Sequence, residues 1–151
     1  MLSWLRRTRR VLDPGSWGPP SGKTRVLIEN PEPSELWGYA DALRSAGYEV
    51  ATCGGPGEHE GGPGACPLLA EGHCALIEGA DVLVSTSELP EIRSILAALG
   101  SSSSPRVVLE TRPPGAGEYR GVARDAILVA CPVTEEILCR TVAEAASSTR
   151  S

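Results

Sequence analysis

Residues 25–52, RVLIENPEPSELWGYADALRSAGYEVAT, contain the clearest structural pattern in the chain. The apolar run Arg25–Glu29 lies just before two prolines and predicts a buried strand. Apolar residues then recur at helical spacing over 34–46, with Ser34 placed to cap the helix and Gly47 to end it. Residues 48–52 predict a second strand. The stretch therefore predicts a strand–helix–strand unit.

The same alternation continues along the rest of the chain. Short apolar runs predict three further strands at 81–85 (DVLVS), 106–110 (RVVLE) and 126–130 (AILVA). Between them, residues 91–99 predict a helix, and residues 66–79 predict a helical segment that a glycine interrupts. Five strands and their intervening helices are thus expected.

The last helix is predicted over 134–146. Thr134 is placed as its N-terminal cap, and glutamates in the first turn favour the helix dipole. The residues predicted to face inward are Ile137, Leu138, Val142 and Ala145.

Strands that are apolar almost throughout are typical of a parallel sheet covered on both faces. Five such units predict a flavodoxin-like, doubly wound α/β fold with strand order 2-1-3-4-5. In that order ligands bind beyond the carboxyl ends of the strands, near the switch between strands one and three.

A length of 151 residues predicts a single domain. We place the domain at 25–147, with a short tail at 148–151. Residues 1–24 are expected to form an Arg-rich tail followed by a linker, because 13–24 (DPGSWGPPSGKT) is dense in Pro, Gly and Ser.

Charge is unevenly distributed along the chain. Residues 1–24 carry five basic side chains and one acidic one, whereas the other 127 residues carry nine basic and eighteen acidic ones, a net charge of −9. The folded domain is therefore expected not to bind nucleic acid. A partner-binding role for the tail, toward an acidic protein or an anionic surface, is predicted for Trp4, Arg6, Arg7, Arg9 and Arg10.

The sequence shows neither a secretory signal nor a run of about 18 apolar residues, so no transmembrane segment is expected. Five cysteines, an odd number, favour reduced thiols in a cytoplasm. Thirteen arginines against one lysine suggest a bacterium with GC-rich coding sequence. A homodimer is compatible with these features.

The stretches RVLIENPEP, DVLVSTSELP and AILVACPV follow or contain the first, third and fifth predicted strands. In their order and spacing they resemble the receiver domain of two-component response regulators, over about residues 25–147. The resemblance implies a magnesium-binding acidic pair, an acceptor aspartate after strand three, a hydroxyl residue after strand four and a lysine after strand five.

These positions hold different residues in this chain. The acidic pair falls on Glu29 and Asn30, the acceptor on Thr86, the hydroxyl position on Glu110 beside Thr111, and the lysine on Cys131. A threonine without a general base is a poor phosphoryl acceptor, and Mg²⁺ prefers several carboxylate ligands.

The resemblance therefore implies a degenerate receiver, a pseudo-receiver, that regulates by binding a protein and is not an enzyme. No cofactor is expected. An alternative is a metal ion held by Glu29 with Glu110 or Glu88.

A second set of residues suggests other chemistry. Thiols and imidazoles suit zinc, although their spacing here matches no known zinc finger. The readings left open are inert thiols, a zinc or other soft-metal site, and a redox pair of Cys66 with Cys74 in an accessory protein. The full set is Cys53, His59, Cys66, His73 and Cys74.

The two remaining cysteines have separate interpretations. Cys131 follows a predicted strand at its carboxyl end, where a helix N-terminus can lower a thiol pKa and favour a reactive thiolate. No base is evident beside it, so packing is the favoured role. Cys139 lies within the last helix and is also expected to pack.

Overall fold

A computed structural model of the protein describes residues 17–55, 66–100, 105–111, 116–122, 125–131 and 133–148. Its strands are β1 (Arg25–Glu29), β2 (Glu49–Cys53), β3 (Val82–Ser85), β4 (Arg106–Thr111) and β5 (Ile127–Ala130). Its helices are α1 (Pro33–Ser45), α2 (Pro67–Glu71), α3 (Ala75–Glu78), α4 (Leu89–Leu99), α5 (Ala116–Val122) and α6 (Glu135–Ser148).

The five strands form one parallel sheet in the order β2-β1-β3-β4-β5, which confirms the predicted doubly wound fold. In the centre of the sheet Glu29 pairs in register with Ser85 of β3 and with Cys53 of β2. The carboxyl ends of the central strands therefore meet at one edge.

Alternate residues of the strands point to opposite faces of the sheet. On one face Val26 and Ile28 pack with α1 and α6, through residues such as Leu43 and Leu138. On the other face Leu27 and Leu83 pack with α2, α3 and α4. We call these two apolar clusters the α1/α6 cluster and the α3 cluster.

The helix ends differ in detail from the prediction. α1 begins at Pro33 with Glu32 as its N-cap, so Ser34 is inside the helix and its hydroxyl donates to Glu32 Oε1 at 2.9 Å. A proline at N1 needs no backbone donor, which explains the earlier start. Thr134 does cap α6, because its Oγ1 accepts a hydrogen bond from the Ile137 amide at 3.2 Å.

Two further expectations need correction. Ile137 is 40% exposed, whereas Leu138, Val142 and Ala145 are buried as predicted. Trp17 falls within the stretch predicted to be a linker, but its side chain packs against the α3 cluster. None of the helices within the described ranges has the length and apolar character that a membrane crossing requires.

Candidate functional site

Glu29 is the central residue of the sheet's carboxyl edge. It ends β1 and is only 4% exposed. The Ser85 hydroxyl donates to Glu29 Oε2 at 2.6 Å, and the Ser87 hydroxyl donates to Oε1. Both carboxylate oxygens therefore already have hydroxyl partners from β3 and the loop that follows it.

Gly55 closes over this carboxylate from the loop after β2. Its φ is +89°, a conformation that favours glycine, and a Cβ built there would lie 2.5 Å from Glu29 Oε1. A side chain at position 55 would therefore force the Glu29 carboxylate to shift.

Burial raises the pKa of the Glu29 carboxyl above its usual value, and the nearby Glu91 carboxylate adds to this. The hydrogen bonds from Ser85 and Ser87 act in the opposite direction, but desolvation is the larger effect. The site thus favours the protonated form of Glu29 more than water does.

Replacing Glu29 with glutamine is expected to change how stability depends on pH. A carboxyl whose folded-state pKa is raised contributes stability below its ordinary pKa, and this contribution is lost as pH rises through the raised value. Urea unfolding should therefore show Glu29→Gln gaining stability over the wild type as pH rises from about 4 to about 8. The exposed Glu118→Gln is the control. A difference independent of pH would contradict the raised pKa.

Asn30 follows Glu29 and is 1% exposed. Its Oδ1 accepts a hydrogen bond from the Glu32 amide at 2.7 Å, and its Nδ2 donates to Glu35 Oε2 at 3.2 Å. Asparagine often forms such a turn with the backbone two residues later. Asn30 therefore helps to position the start of α1.

Thr86 follows β3, where the resemblance to receiver domains places the acceptor residue. It is 1% exposed, and its Oγ1 donates to the Glu29 carbonyl oxygen at 3.2 Å. The Thr86 amide also donates to that carbonyl, at 3.0 Å. Both groups join the ends of β1 and β3, and the hydroxyl is shielded from solvent.

Glu110 and Thr111 end β4 and are both buried. The Tyr39 hydroxyl donates to Glu110 Oε2 at 3.0 Å, which links α1 to β4. Burial, and then the Glu110 carboxylate, raise the pKa of the Tyr39 phenol.

Thr111 Oγ1 donates to the Val129 carbonyl oxygen at 3.4 Å, and the Thr111 carbonyl oxygen accepts from the Cys131 amide. Cys131 is exposed, so the expectation that it packs in the interior is wrong.

This donor set does not fit the magnesium ion that the resemblance implies. Of the residues that the resemblance places at the acidic pair and the acceptor (Glu29, Asn30 and Thr86), Glu29 is the carboxylate, and both of its oxygens accept hydroxyl hydrogen bonds. Mg²⁺ requires near-octahedral oxygen ligands and usually retains several waters. Across the described ranges, no group of three His, Cys, Asp or Glu side chains is placed to hold a metal ion.

The structure brings together three of the five residues in the cysteine–histidine set. Cys53, Cys66 and Cys74 all belong to the α3 cluster or pack against it. His73 is exposed, with its ring nitrogens 3.7 Å and 3.9 Å from carboxylate oxygens of Glu71 and Glu78. His59 lies outside the described residues.

The Cys53 thiol is poorly suited to act as a thiolate. Burial raises its pKa to about 11, and neighbouring acidic groups, including Glu29, add to the shift. A buried thiol with a raised pKa is a weak nucleophile and a weak metal ligand at neutral pH.

The stretch 85–88 after the third predicted strand was expected at this edge, and it contains Ser85 and Ser87, although neither serine was given a role of its own. Ser85 lies opposite Glu29 in a parallel pairing, so the predicted strand order contained a signal for that contact. Gly55 and Tyr39 lie in a loop and on a helix, and no periodicity in the sequence connects them to the edge.

No family model matches the sequence, and no curated protein matches it. Similar solved structures include a CheY-like response regulator receiver domain protein from Methanospirillum hungatei JF-1, with 18% identity and a TM-score of 0.65 over 85% of this chain and 97% of that chain. A response regulator receiver domain protein from Clostridium thermocellum has 17% identity and a TM-score of 0.62, over 84% and 97%.

A third similar structure is the signal receiver domain of a signal transduction histidine kinase from Syntrophus aciditrophicus. It has 16% identity and a TM-score of 0.61, over 84% of this chain and 92% of that chain. At such identities the likeness concerns the backbone architecture. The chain therefore has the receiver-domain fold.

Proposed function

We propose that this chain is a receiver-like regulatory module that binds a protein partner and does not accept a phosphoryl group. The proposal rests on the burial and hydrogen bonding of Thr86 at the carboxyl edge of the sheet. Thr86 occupies the acceptor position, and its hydroxyl is buried and bound to the Glu29 carbonyl oxygen. Phosphoryl transfer needs an exposed nucleophile and, in this family, a metal held by carboxylates.

The other side chains of the edge support the same proposal. Glu29, Asn30 and Glu110 each have hydrogen-bond partners within the domain. These bonds connect β1, β3, β4 and α1. Residues at positions that carry out phosphoryl transfer in receiver domains therefore serve here to hold the strands and α1 together. In this proposal the partner binds the domain surface away from the carboxyl edge of the sheet.

We expect small phosphodonors to leave the protein unmodified. The full chain would be incubated with acetyl phosphate and Mg²⁺, and intact-mass spectrometry would be compared with that of a receiver domain that has an acceptor aspartate. The reference domain should gain one phosphoryl group, and this chain none. An acyl phosphate, or a phosphate on any residue of 85–88, would overturn the proposal.

The partner-binding part of the proposal rests on charge. The domain at 25–147 is acidic, and the tail supplies the concentrated positive charge; the tail residues Trp4, Arg6, Arg7, Arg9 and Arg10 lie outside the described residues. An acidic protein partner in a bacterial cytoplasm fits this distribution.

Binding of a Glu-rich peptide to the full chain should weaken as the salt concentration rises, and it should weaken when the four arginines of the tail are changed to Gln. Unchanged binding in that variant would exclude the proposed role of the tail.

A further inference from the structure

The strand β2 forms one free edge of the sheet. It pairs with β1 alone, and the Glu49 amide donates to the Thr24 carbonyl oxygen, just before β1, at 3.0 Å. The backbone groups of successive strand residues point to opposite sides, so those of Val50 and Thr52 point away from β1. Among the described residues, both of these amides and the Thr52 carbonyl oxygen have no hydrogen-bond partner. The outer side of β2 is therefore open.

One side of helix α1 lies beside this open edge. α1 packs over β1 and β2, and the Arg44 Nη2 donates to the Val50 carbonyl oxygen at 3.4 Å. Trp37 is seven residues earlier, about two helical turns, so it lies on the same side of α1 as Arg44. Its side chain is 69% exposed. The β2 edge surface is defined here by Trp37, Asp41, Arg44, Val50 and Thr52.

The composition of the β2 edge surface is that of an interface. Folded proteins usually protect an open edge strand with lysine, proline, a bulge or a covering segment. β2 has the sequence EVATC and pairs with β1 in unbroken register, so it contains none of the first three. Tryptophan and arginine are enriched among the residues that dominate binding energy at protein interfaces. Trp37 and Arg44 place both types next to the open strand.

The open side of β2 is also complementary to itself. When two copies of the strand pair antiparallel about a two-fold axis at Ala51, Val50 of each copy lies opposite Thr52 of the other. Each such pair exchanges two backbone hydrogen bonds, so four bonds join the copies. A two-fold interface requires this kind of match, in which one patch on the surface fits its own copy.

The same axis places the two α1 helices side by side on one face of the joined sheet. Arg44 lies at the level of Val50, on one side of Ala51, whereas Trp37 lies about 10 Å along the helix, on the other side. The axis therefore brings Arg44 of each copy toward Trp37 of the other, where a guanidinium and an indole attract each other. Asp41 lies between them, with Oδ1 3.9 Å from Arg44 Nη1, so each arginine also meets an acidic group.

We propose that this chain forms a homodimer through the β2 edge surface, with β2 paired antiparallel to β2 of a second copy. The two five-stranded sheets then form one sheet of ten strands. The dimer uses no side chain of the carboxyl edge, so its existence is independent of whether Thr86 accepts a phosphoryl group.

The first test is sedimentation of the full chain over a wide range of protein concentrations. We expect the mass to rise from the 15.8 kDa of one chain toward twice that value as concentration rises. Trp37→Ala should raise the dissociation constant of the dimer at least about ten-fold. Ile137→Ala, which removes another exposed apolar side chain, should leave the constant unchanged. A chain that stays monomeric throughout, which leaves the open edge to a strand of a different protein, overturns the proposal, as do equal effects of the two replacements.

The second test addresses the strand pairing itself. Thr52→Pro removes an amide that points away from β1, and proline is tolerated there on an edge strand, so the dimer should be lost while circular dichroism shows a folded chain. Ala130→Pro is the matched control on β5, because the Cys131 amide bonds to β4 and the preceding amide points outward. This variant should remain dimeric. If Thr52→Pro does not fold, Trp37→Ala and Arg44→Gln, which leave the backbone unchanged, decide the outcome. A dimer that persists in folded Thr52→Pro, or that is lost in Ala130→Pro alone, overturns the proposal.

Discussion

Replacing Gly55 with alanine should lower the free energy of unfolding by about 2–5 kcal/mol, through backbone strain and overpacking together. The φ of +89° is unfavourable for alanine, and the new Cβ would lie 2.5 Å from Glu29 Oε1. The Glu29 carboxylate cannot move aside easily, because Ser85 and Ser87 hold both of its oxygens. Urea unfolding followed by circular dichroism measures the change.

Gly47 provides a matched control. Its φ is +97°, but a Cβ built there meets nothing within 4 Å, so Gly47→Ala should cost only the conformational part, about 1–2 kcal/mol. In a Gly55→Ala background, Glu29→Ala should remove the clash, and the double variant should lose less stability than the sum of the two single changes. Equal costs at Gly47 and Gly55 would show that the close approach to Glu29 does not limit position 55.

Replacing Leu138 with alanine should lower the free energy of unfolding by about 2–5 kcal/mol, because the change leaves a cavity in a packed core. Leu138 is 2% exposed and lies among Val84, Val108 and Val142 in the α1/α6 cluster. The urea concentration at the unfolding midpoint should fall. The dependence of the unfolding free energy on urea concentration should not change, because unfolding exposes nearly the same surface.

The neighbouring Ile137 supplies the comparison for Leu138. It is 40% exposed, so Ile137→Ala removes less buried surface than Leu138→Ala and should cost less, about 1 kcal/mol. Alanine also has the higher helix propensity, which offsets part of the lost contact. A large loss at Ile137, or a small one at Leu138, would mean that α6 is rotated relative to the sheet.

The strands could be predicted because each is a short apolar run, such as Val82–Ser85, which is buried along its whole length. Strand order followed from the alternation with helices, since crossovers in parallel sheets permit few arrangements. The positions at the carboxyl edge, including Glu29 and Thr86, then followed from strand ends alone.

Other features had no local signal. Helix α5 (Ala116–Val122) was not predicted, because AGEYRGV contains two glycines and has no clear helical periodicity; Tyr119 reaches a core. Trp17 stands in a stretch whose composition indicates a linker, and its packing depends on Gly79 and Arg25, which are distant in sequence. Contacts of this kind arise from the tertiary structure, so periodicity cannot reveal them.

The interlocked arrangement of Glu29, Ser87 and Gly55 also constrains how this sequence can diverge. A larger residue at 55 meets the carboxylate, and loss of Ser87 leaves a buried oxygen without its partner. Single replacements at positions 55 and 87 are costly, whereas a shorter residue at 29 relieves both constraints. We expect related sequences to keep the three residues as a set or to replace them as a set, so that the three alignment columns co-vary.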